Sequence, residues 1–423
     1  MLLINYIKDN KDHVIKQLAI KNFDATIIVD EVIELDILRK KSQKELDDIL
    51  AESNKLAKEI GNLYKTGQRD KAEEAKAKSA ELKATAKKLE ELLNNTVKSL
   101  NSKLIELPNV PHISVPKGNT DADNELIYEE GTIPVLPENA IPHWELASKY
   151  NIIDFDLGSK VTGAGFPFYL GKGARLQRAL INFFLDEALE QNYIEYQPPL
   201  LVNSDSGYGT GQLPDKEGQM YFVGEDKLYL IPTAEVPITN IYRNVILKEG
   251  DFPIKNVAYS NCFRREAGSY GKDVRGLNRL HQFDKIEIVQ IQHPNKSYET
   301  LEQMKDQIAN LLRKLELPFR IVRLCGGDLS FTSALTYDFE VFSAAQKRWL
   351  EVSSVSNFEN FQSNRLKLRF KDKNGKSQLA HTLNGSALAL PRIVAALLEN
   401  NQTDDGIVIP EALRSYTRFD IIN

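Results

Sequence analysis

The chain has 423 residues, which is enough for two or three domains with cores of their own. Hydrophobic residues make up 42% and charged residues 27% of it, and this composition excludes a disordered or fibrous protein. The net charge of −5 excludes binding of nucleic acid through a generally basic surface. Any contact with RNA must therefore be local, and we expect no DNA binding.

The cysteines and the apolar runs indicate where the protein resides. Cys262 and Cys325 are too few for a disulfide framework or a set of zinc ligands, and they suit a reducing cytosol. The first residues lack the basic and apolar regions of a signal peptide, and no apolar run approaches the length of a membrane span. The sequence therefore predicts a cytoplasmic protein without a membrane-bound segment.

Residues from about 30 to 100 contain no proline and are rich in Lys, Glu, Ala and Leu. Apolar and small residues recur there at steps of three or four, which predicts two helices with one seam each. The first seam comprises Leu35, Leu38, Ser42, Leu46, Ile49, Ser53, Leu56, Ile60 and Leu63. The second comprises Ala72, Ala75, Ser79, Leu82, Ala86, Leu89, Leu93, Thr96 and Leu100. The polar turn at 65–70 joins them into a predicted antiparallel helical hairpin.

The far end of this hairpin is locally basic. Between positions 65 and 88, acidic residues are Asp70, Glu73, Glu74 and Glu81. Basic residues are twice as many there: Lys65, Arg69, Lys71, Lys76, Lys78, Lys83, Lys87 and Lys88. A bare heptad pattern is typical of a dimerisation or packing coiled coil, and that alternative stays open. The local positive charge favours contact with phosphates instead.

The pattern changes after the proline-rich stretch at 107–116, which predicts an extended linker. Beyond it, short β-rich runs at 257–260, 285–290 and 319–323 are separated by helical segments. We predict helices over 174–191, 298–315 and 391–400. The predicted strands are more numerous than a fold with simply alternating strands and helices would have. The sequence therefore favours an α+β fold with an antiparallel sheet and flanking helices.

The densest cluster of chemistry-bearing residues lies between positions 261 and 287. Arg264, Arg265, Arg275 and Arg279 lie in or beside a glycine-rich loop with strand-like flanks. Guanidinium groups on one face of a hairpin can hold a polyphosphate bidentately, and Phe283 can stack on a base. A solvated basic hairpin is the alternative interpretation.

Three further segments carry polar groups suited to the same ligand. Thr233 and Glu235 share a short turn, and EVSS at 351–354 offers the hard oxygen ligands that magnesium prefers. TLNGSALALPR at 382–392 ends with Arg392 at the start of an apolar helix. Each segment taken alone is more typical of a turn, a helix cap or a core element.

Together these segments closely resemble the seryl-tRNA synthetases, a class II aminoacyl-tRNA synthetase family. FRREAG at 263–268 with RLHQF at 279–283 resembles the second class II motif, and 382–392 resembles the third. YIEYQPP at 193–199 resembles the first, the dimer motif. TAE at 233–235 and EVSS at 351–354 resemble elements of the seryl branch, and the helical hairpin resembles the tRNA-binding arm. The resemblance spans essentially the whole chain, in the family's order.

Carried over residue by residue, the resemblance implies how ATP is bound. Arg264 would hold the α-phosphate and the serine carboxylate, Glu266 would read the adenine amino group, and Arg279 would contact the γ-phosphate. Phe283 and Arg392 would sandwich the adenine. Arg264, Glu266, Arg279 and Arg392 are thus the implied catalytic residues. The full implied ATP site is Arg264, Arg265, Glu266, Phe283, Glu351, Val352, Ser353, Ser354 and Arg392.

The resemblance also implies the remaining sites and partners. Glu351 and Ser354 would bind Mg²⁺. The implied serine site comprises Thr233, Ala234, Glu235, Arg264, Glu287, Asn384 and Ser386. Residues 1–108 would form the tRNA-binding domain, which contains the hairpin, and residues 109–423 the class II catalytic domain of a homodimer. Arg265, Val355 and Leu335 depart from the commoner family pattern, and none of these departures removes an implied contact.

The reaction implied is the ligation of L-serine to tRNA(Ser) at the expense of ATP, and selenocysteine tRNA is commonly a second acceptor in the family. The serine carboxylate would attack the α-phosphorus, and the terminal ribose hydroxyl of the tRNA would then attack the seryl-adenylate. Because a carboxylate is already an anion at neutral pH, the first step needs no general base, and catalysis is positioning and charge neutralisation.

Three other functions remain as alternatives. A synthetase-like paralogue with an inactive site would normally lack ATP-contacting residues such as Arg264, Arg279, Glu351 and Arg392, all of which are present. A coiled-coil scaffold would leave the catalytic segments unexplained. A ligase that charges a carrier protein would lack the long arm.

Overall fold

The computed structural model describes residues 1–266 and 275–423. The chain divides into two compact units, one of residues 1–19 and 23–108 and the other of residues 20–22 and 109–423. Within the described ranges, no helix combines the length and the apolar character that crossing a bilayer requires.

Unit 1 is entirely helical. Its helices are α1 (Ile4–Asp9), α2 (Lys11–Leu18), α3 (Thr26–Lys65) and α4 (Arg69–Glu106). The long helices α3 and α4 pack side by side along their length and form the predicted antiparallel hairpin. Gly67 has a φ of 77°, a left-handed conformation that glycine adopts without strain, and it lies where the chain reverses direction. The prediction of a helical hairpin is confirmed.

The predicted seam holds along most of α3, but it is wrong at Leu38. The Leu38 side chain is 38% exposed, whereas Asp36, which the apolar pattern excluded, is buried. Asp36 forms ion pairs with Lys8, at 3.5 Å, and with Arg39 and Lys40. Helix α1 packs against α3, so this part of α3 contributes to a small helical core as well as to the hairpin. The ion pairs compensate for the burial of the carboxylate.

Unit 2 is built around an eight-stranded sheet. Its strands are β1 (Glu125–Glu130), β4 (Ile194–Tyr196), β9 (Ile254–Phe263), β10 (Gln282–Gln292), β11 (Phe319–Arg323), β12 (Leu335–Ser343), β13 (Arg348–Glu359) and β16 (His381–Ala389). Their order in the sheet is β1-β11-β12-β13-β16-β10-β9-β4, and every neighbouring pair is antiparallel except β4 with β9. The predicted α+β fold with a mainly antiparallel sheet is confirmed.

Short strands and helices complete unit 2. The strands are β2 (Ile153–Asp154), β3 (Phe168–Tyr169), β5 (Leu201–Val202), β6 (Phe222–Val223), β7 (Leu228–Leu230), β8 (Ile246–Lys248), β14 (Arg369–Lys371), β15 (Ser377–Leu379), β17 (Gln402–Thr403), β18 (Gly406–Val408) and β19 (Ile421–Ile422). The helices are α5 (His143–Lys149), α6 (Phe155–Val161), α7 (Gly171–Glu190), α8 (Ser204–Thr210), α9 (Glu235–Asn240), α10 (Ser297–Lys314), α11 (Phe361–Leu366), α12 (Leu390–Asn400) and α13 (Glu411–Thr417). The three predicted helices correspond to α7, α10 and α12.

The two faces of the sheet have different coverings, and this positions the site. On one face, Ile286 and Ile288 of β10 and Val355 of β13 join the main core with apolar residues of α7, α10 and α12. Because side chains alternate along a strand, Lys285 and Glu287 of β10 point to the opposite face. That second face carries the polar residues of the candidate site.

Candidate functional site

Four polar side chains form a buried pocket on the second face of the sheet. Lys285 Nζ donates a hydrogen bond to Thr233 Oγ1 at 2.8 Å and lies 2.5 Å from Glu287 Oε2. The backbone amide of Glu235 also donates to Thr233 Oγ1, at 3.2 Å, which fixes the turn that begins α9. Gln362 Nε2 donates to Glu235 Oε1 at 2.7 Å. We call Thr233, Glu235, Lys285 and Glu287 the carboxylate pocket.

The electrostatics of the carboxylate pocket are unusual. Burial, reinforced by the nearby negative charge of Glu287, raises the pKa of Glu235 to about 7, against weaker opposing effects of Gln362, Lys285 and Arg264. Burial also raises the pKa of the Cys262 thiol, on the neighbouring strand β9. A carboxyl group poised near neutrality beside a second carboxylate is typical of a site that receives a cation.

Strand β16 brings two more of the predicted residues to this pocket. In the register of β10 with β16, Ser386 lies opposite Glu287 and Asn384 lies opposite Val289. Directly opposed residues of an antiparallel pair project to the same face, so Asn384 and Ser386 share the face of Glu287. Ala234, by contrast, is fully buried in a hydrophobic cluster, so only its backbone can contact a ligand.

The arginines predicted to bind phosphate lie at the ends of β9 and β10. The Arg264 guanidinium carbon is 5.3 Å from the centre of the Phe283 ring, a cation–π distance. Glu266 forms an ion pair with Arg279, while the Arg265 side chain is exposed. Residues 267–274, which include the predicted glycine-rich loop and the end of the FRREAG segment, lie outside the described residues.

Arg392 connects the segment that precedes β10 to strand β13. Its Nε donates to the backbone carbonyl of Asn278 at 3.0 Å, next to Arg279 in the chain. Its Nη1 donates to the backbone carbonyl of Glu351 at 2.7 Å and lies 3.3 Å from a Glu351 carboxylate oxygen. Arg392 stands in the first turn of α12, directly after β16, so the strand and the helix fix its position together.

A β-bulge explains how Glu351 and Ser354 come to share one face of β13. On the neighbouring strand β12, Phe339 pairs with Ser353 and the next residue, Glu340, pairs with Glu351. Val352 therefore has no partner on β12 and is the extra residue of a bulge in β13. Val352 and Val355 consequently both point into the core. The Val352 side chain therefore cannot reach ATP, and Ser353 Oγ donates to the backbone carbonyl of Ser386 at 2.5 Å.

These oxygens fit a divalent cation. Asp338 lies opposite Ser354, and its Oδ1 is buried without a hydrogen-bond partner among the described residues. Burial, together with the nearby charge of Glu351, raises the pKa of Asp338 well above its ordinary value. Within the described ranges no group of three His, Cys, Asp or Glu side chains could hold a metal alone. Two carboxylates and a hydroxyl suit Mg²⁺, which takes further oxygens from water and from phosphates.

A buried chain of hydrogen bonds, which we call the relay, holds the segment that contacts Arg392. His143 Nε2 accepts a hydrogen bond from the Leu277 backbone amide at 2.8 Å, and His143 Nδ1 lies 2.7 Å from Glu399 Oε1. Hydrogen bonds from His143 and from Ser343 outweigh the burial of Glu399 and lower its pKa. The relay ends one residue before Asn278, whose carbonyl accepts from Arg392.

The sequence-predicted residues form two groups of contacts. Arg264 lies over the Phe283 ring and its Nε donates to the backbone carbonyl of Pro232 at 3.4 Å, directly before Thr233 of the carboxylate pocket, while Arg392 contacts Glu351. Other residues of the site were not predicted from the sequence. The missed residues are Lys285, Asp338, Gln362, His143 and Glu399. Lys285 lies two positions from Glu287, and this strand spacing was the available signal for its shared face. The others come from distant segments and gave no local signal.

The comparisons with known proteins agree along the whole chain. Residues 1–111 match the family described as Seryl-tRNA synthetase N-terminal domain, and residues 222–401 match the tRNA synthetase class II core domain (G, H, P, S and T). A serine–tRNA ligase of Salinibacter ruber is 49% identical over 99% of this chain and 98% of its own length.

Two solved structures are similar to the chain over its full length. The seryl-tRNA synthetase of Pyrococcus horikoshii complexed with ATP is 35% identical, with a TM-score of 0.92, and covers 100% of this chain and 99% of its own. The cytoplasmic serine–tRNA ligase of Naegleria fowleri in complex with AMP is 27% identical, with a TM-score of 0.87 and the same coverage.

Proposed function

The chain belongs to the seryl-tRNA synthetase family, and from this premise we propose that it activates L-serine with ATP and transfers it to the 3′ end of tRNA(Ser). The chain is then an aminoacyl-tRNA ligase, and selenocysteine tRNA is a second candidate acceptor. The observation that carries the proposal is the set of contacts around the sheet: Arg264 with the Phe283 ring and with the carbonyl before Thr233 of the carboxylate pocket, and Arg392 with Glu351.

In the activation step, the site must hold two anions close together. Arg264 contacts the Phe283 ring and the backbone carbonyl of Pro232, directly before Thr233, so its guanidinium can neutralise both the serine carboxylate and the α-phosphate that it attacks. Phe283 and Arg392 provide flat surfaces for adenine. Glu266, released from its ion pair with Arg279, accepts from the adenine amino group, and Arg279 turns to the γ-phosphate.

Glu351 and Ser354, with Asp338 beside them, would hold Mg²⁺, which when bound neutralises charge on the phosphates. The chain itself supplies no nucleophile and needs none, because the serine carboxylate attacks the α-phosphorus. What the protein contributes is alignment of the two substrates and compensation of their charge.

Specificity for serine follows from buried polar groups. Glu235 and Glu287 accept from the ammonium group, while Ser386 and Asn384 offer partners for the hydroxyl. Alanine would leave such groups buried and unpaired, and sites that read a hydroxyl can reject the analogue by about 10⁴-fold. Exchange of pyrophosphate into ATP, measured with serine, threonine, alanine, glycine and cysteine, tests this. Serine should be preferred, and preference for another amino acid would overturn the substrate assignment.

The tRNA would be bound by the helical hairpin α3–α4. Its eight basic residues between positions 65 and 88 are all exposed to contact with phosphates, and two of them, Lys76 and Lys78, form surface ion pairs with Glu73 and Glu52. Removing residues 38–93 should abolish aminoacylation and spare serine-dependent exchange. Loss of exchange as well would contradict a separate role for the hairpin. Neutralising Lys83, Lys87 and Lys88 to Gln, with exchange as the control, should weaken tRNA binding without shortening the hairpin.

We also propose a cytoplasmic homodimer. Strand β4, which contains the segment resembling the dimer motif, lies at one edge of the sheet, and its Ile194 is 59% exposed. An apolar residue on an open sheet edge favours pairing with a second copy. Sedimentation of the wild type and of Ile194→Lys should give dimer and monomer respectively. A monomeric wild type would refute this part.

A further inference from the structure

Lys285 is buried in the carboxylate pocket, and none of the roles described above uses it. Lys285 is only 5% exposed, although lysine is among the residues least often buried. Both of its described polar contacts are pocket residues, namely Thr233 Oγ1 at 2.8 Å and Glu287 Oε2 at 2.5 Å. A buried ammonium group is tolerated only when it is paired and hydrogen-bonded, so its position is specified by this pocket.

The charges of the pocket explain why a cation is needed there. Glu235 is 6% exposed and Glu287 is 1% exposed, so two carboxylates share a space with little access to water. Together they would carry a charge of −2, whereas the ammonium group of an amino acid carries +1. With Lys285 included, the three side chains carry −1, which matches one ammonium group and leaves Arg264 to the ligand's carboxylate.

Lys285 also determines whether the Thr233 hydroxyl can donate a hydrogen bond to a ligand or accept one from it. A hydroxyl group has two acceptor lone pairs and one hydrogen. Lys285 Nζ and the backbone amide of Glu235 both donate to Thr233 Oγ1, which uses both lone pairs. The hydroxyl hydrogen is therefore the group left for a ligand. Without Lys285, Thr233 could present either a donor or an acceptor.

We propose that Lys285 is a positioning residue for the amino acid substrate: it compensates one of the two buried carboxylates and orients the Thr233 hydroxyl as a donor. This inference rests on the proposed function and names a residue that sets its specificity. Lys285 acts through Glu287 and Thr233, and it does not take part in bond formation.

The test is pyrophosphate exchange by the full-length Lys285→Met variant between pH 6 and pH 9, since methionine has a similar length and no charge. We expect the KM for serine to rise at least about tenfold and the KM for ATP to change less than about twofold. Without the positive charge Glu235 binds a proton more readily, so the acid limb of kcat/KM for serine should move upward by about one pH unit.

The matched control is Lys255→Met on the neighbouring strand β9. Lys255 Nζ donates to the backbone carbonyl of Gln191 at 3.2 Å, away from the pocket. This variant should keep the wild-type KM values and pH profile. An unchanged KM for serine in Lys285→Met, or an equal rise in both KM values with the wild-type pH profile, would overturn the inference.

A second variant keeps the inference testable if Lys285→Met does not fold. The double variant Lys285→Met/Glu287→Gln removes both charges, and neutral replacement of a buried pair is tolerated better than the loss of one partner. Because Glu287 raises the pKa of Glu235 more than Lys285 lowers it, the acid limb should stay at its wild-type position or move below it. A limb displaced upward would contradict the charge compensation.

Pyrophosphate exchange by the wild type distinguishes failure of the proposed function from failure of the inference about Lys285. If the wild type shows no serine-dependent exchange, the proposed function fails. If it shows exchange and Lys285→Met behaves like the Lys255→Met control, only the role of Lys285 fails.

Discussion

Replacing Glu235 by Gln should make the protein more stable and less active at the same time. In the folded chain, burial and the charge of Glu287 raise the pKa of Glu235 from its ordinary 4.5 to about 7. At about 1.4 kcal/mol per pH unit, this rise means that the ionised group costs the folded state about 3 kcal/mol. A glutamine at 235 removes that cost and can still accept the hydrogen bond from Gln362.

The sign of the pH dependence follows from proton linkage. Because the folded-state pKa is raised, the folded chain binds more protons than the unfolded chain between about pH 4.5 and pH 7. The wild type therefore loses stability as pH rises through this window. The difference between Glu235→Gln and the wild type should be small below pH 4.5, grow through the window and reach about 3 kcal/mol above pH 7.

Urea denaturation between pH 5 and pH 8, monitored on the transition of unit 2, measures this difference. Glu217→Gln is the control, because Glu217 is exposed in a loop and its replacement should leave stability unchanged at every pH. Serine-dependent exchange should fall at least about a hundredfold in Glu235→Gln, since one acceptor of the ammonium group is lost. A Glu235→Gln variant that is equally or less stable than the wild type at pH 8 would refute the reasoning.

Three further predictions concern the nucleotide side of the site. Arg392→Ala should raise the KM for ATP at least about tenfold and leave the KM for serine within about twofold; a selective rise for serine would contradict the placement of Arg392. Asp338→Asn should raise the Mg²⁺ concentration for half-maximal exchange about tenfold after chelation by EDTA, and an unchanged titration would exclude Asp338 from the cation site. His143→Ala should raise the KM for ATP and not that for serine, because the Leu277 amide loses its acceptor; equal effects on both would indicate general destabilisation.

The sequence was sufficient for the features that repeat locally. The steps of three and four residues predicted the hairpin because each seam recurs over many turns of a helix. Core helices α7, α10 and α12 began and ended within a few residues of their predicted bounds. The prediction failed at Leu38 and Asp36, where α1 packs against α3 and three basic residues pair with the carboxylate. Such compensation comes partly from another helix and has no period of its own.

The candidate site was predictable only in part. The motif segments located Arg264, Glu287, Glu351 and Arg392, but spacing alone did not show why Glu351 and Ser354 share a face. Three positions apart on a regular strand, they would face opposite sides of the sheet; the bulge at Val352 turns them to one side. The hydrogen bond between His143 and Glu399 joins residues 256 positions apart in the chain, so no local sequence pattern could predict it.

The most direct test of the central claim is a crystal structure of the chain with a non-hydrolysable analogue of seryl-adenylate. We expect the adenine between Phe283 and Arg392, the phosphate-mimicking group at Arg264, and the ammonium group between Glu235 and Glu287, beside Lys285. An analogue bound elsewhere, or bound with its ammonium group directed away from the carboxylate pocket, would contradict the assignment of this site to serine activation.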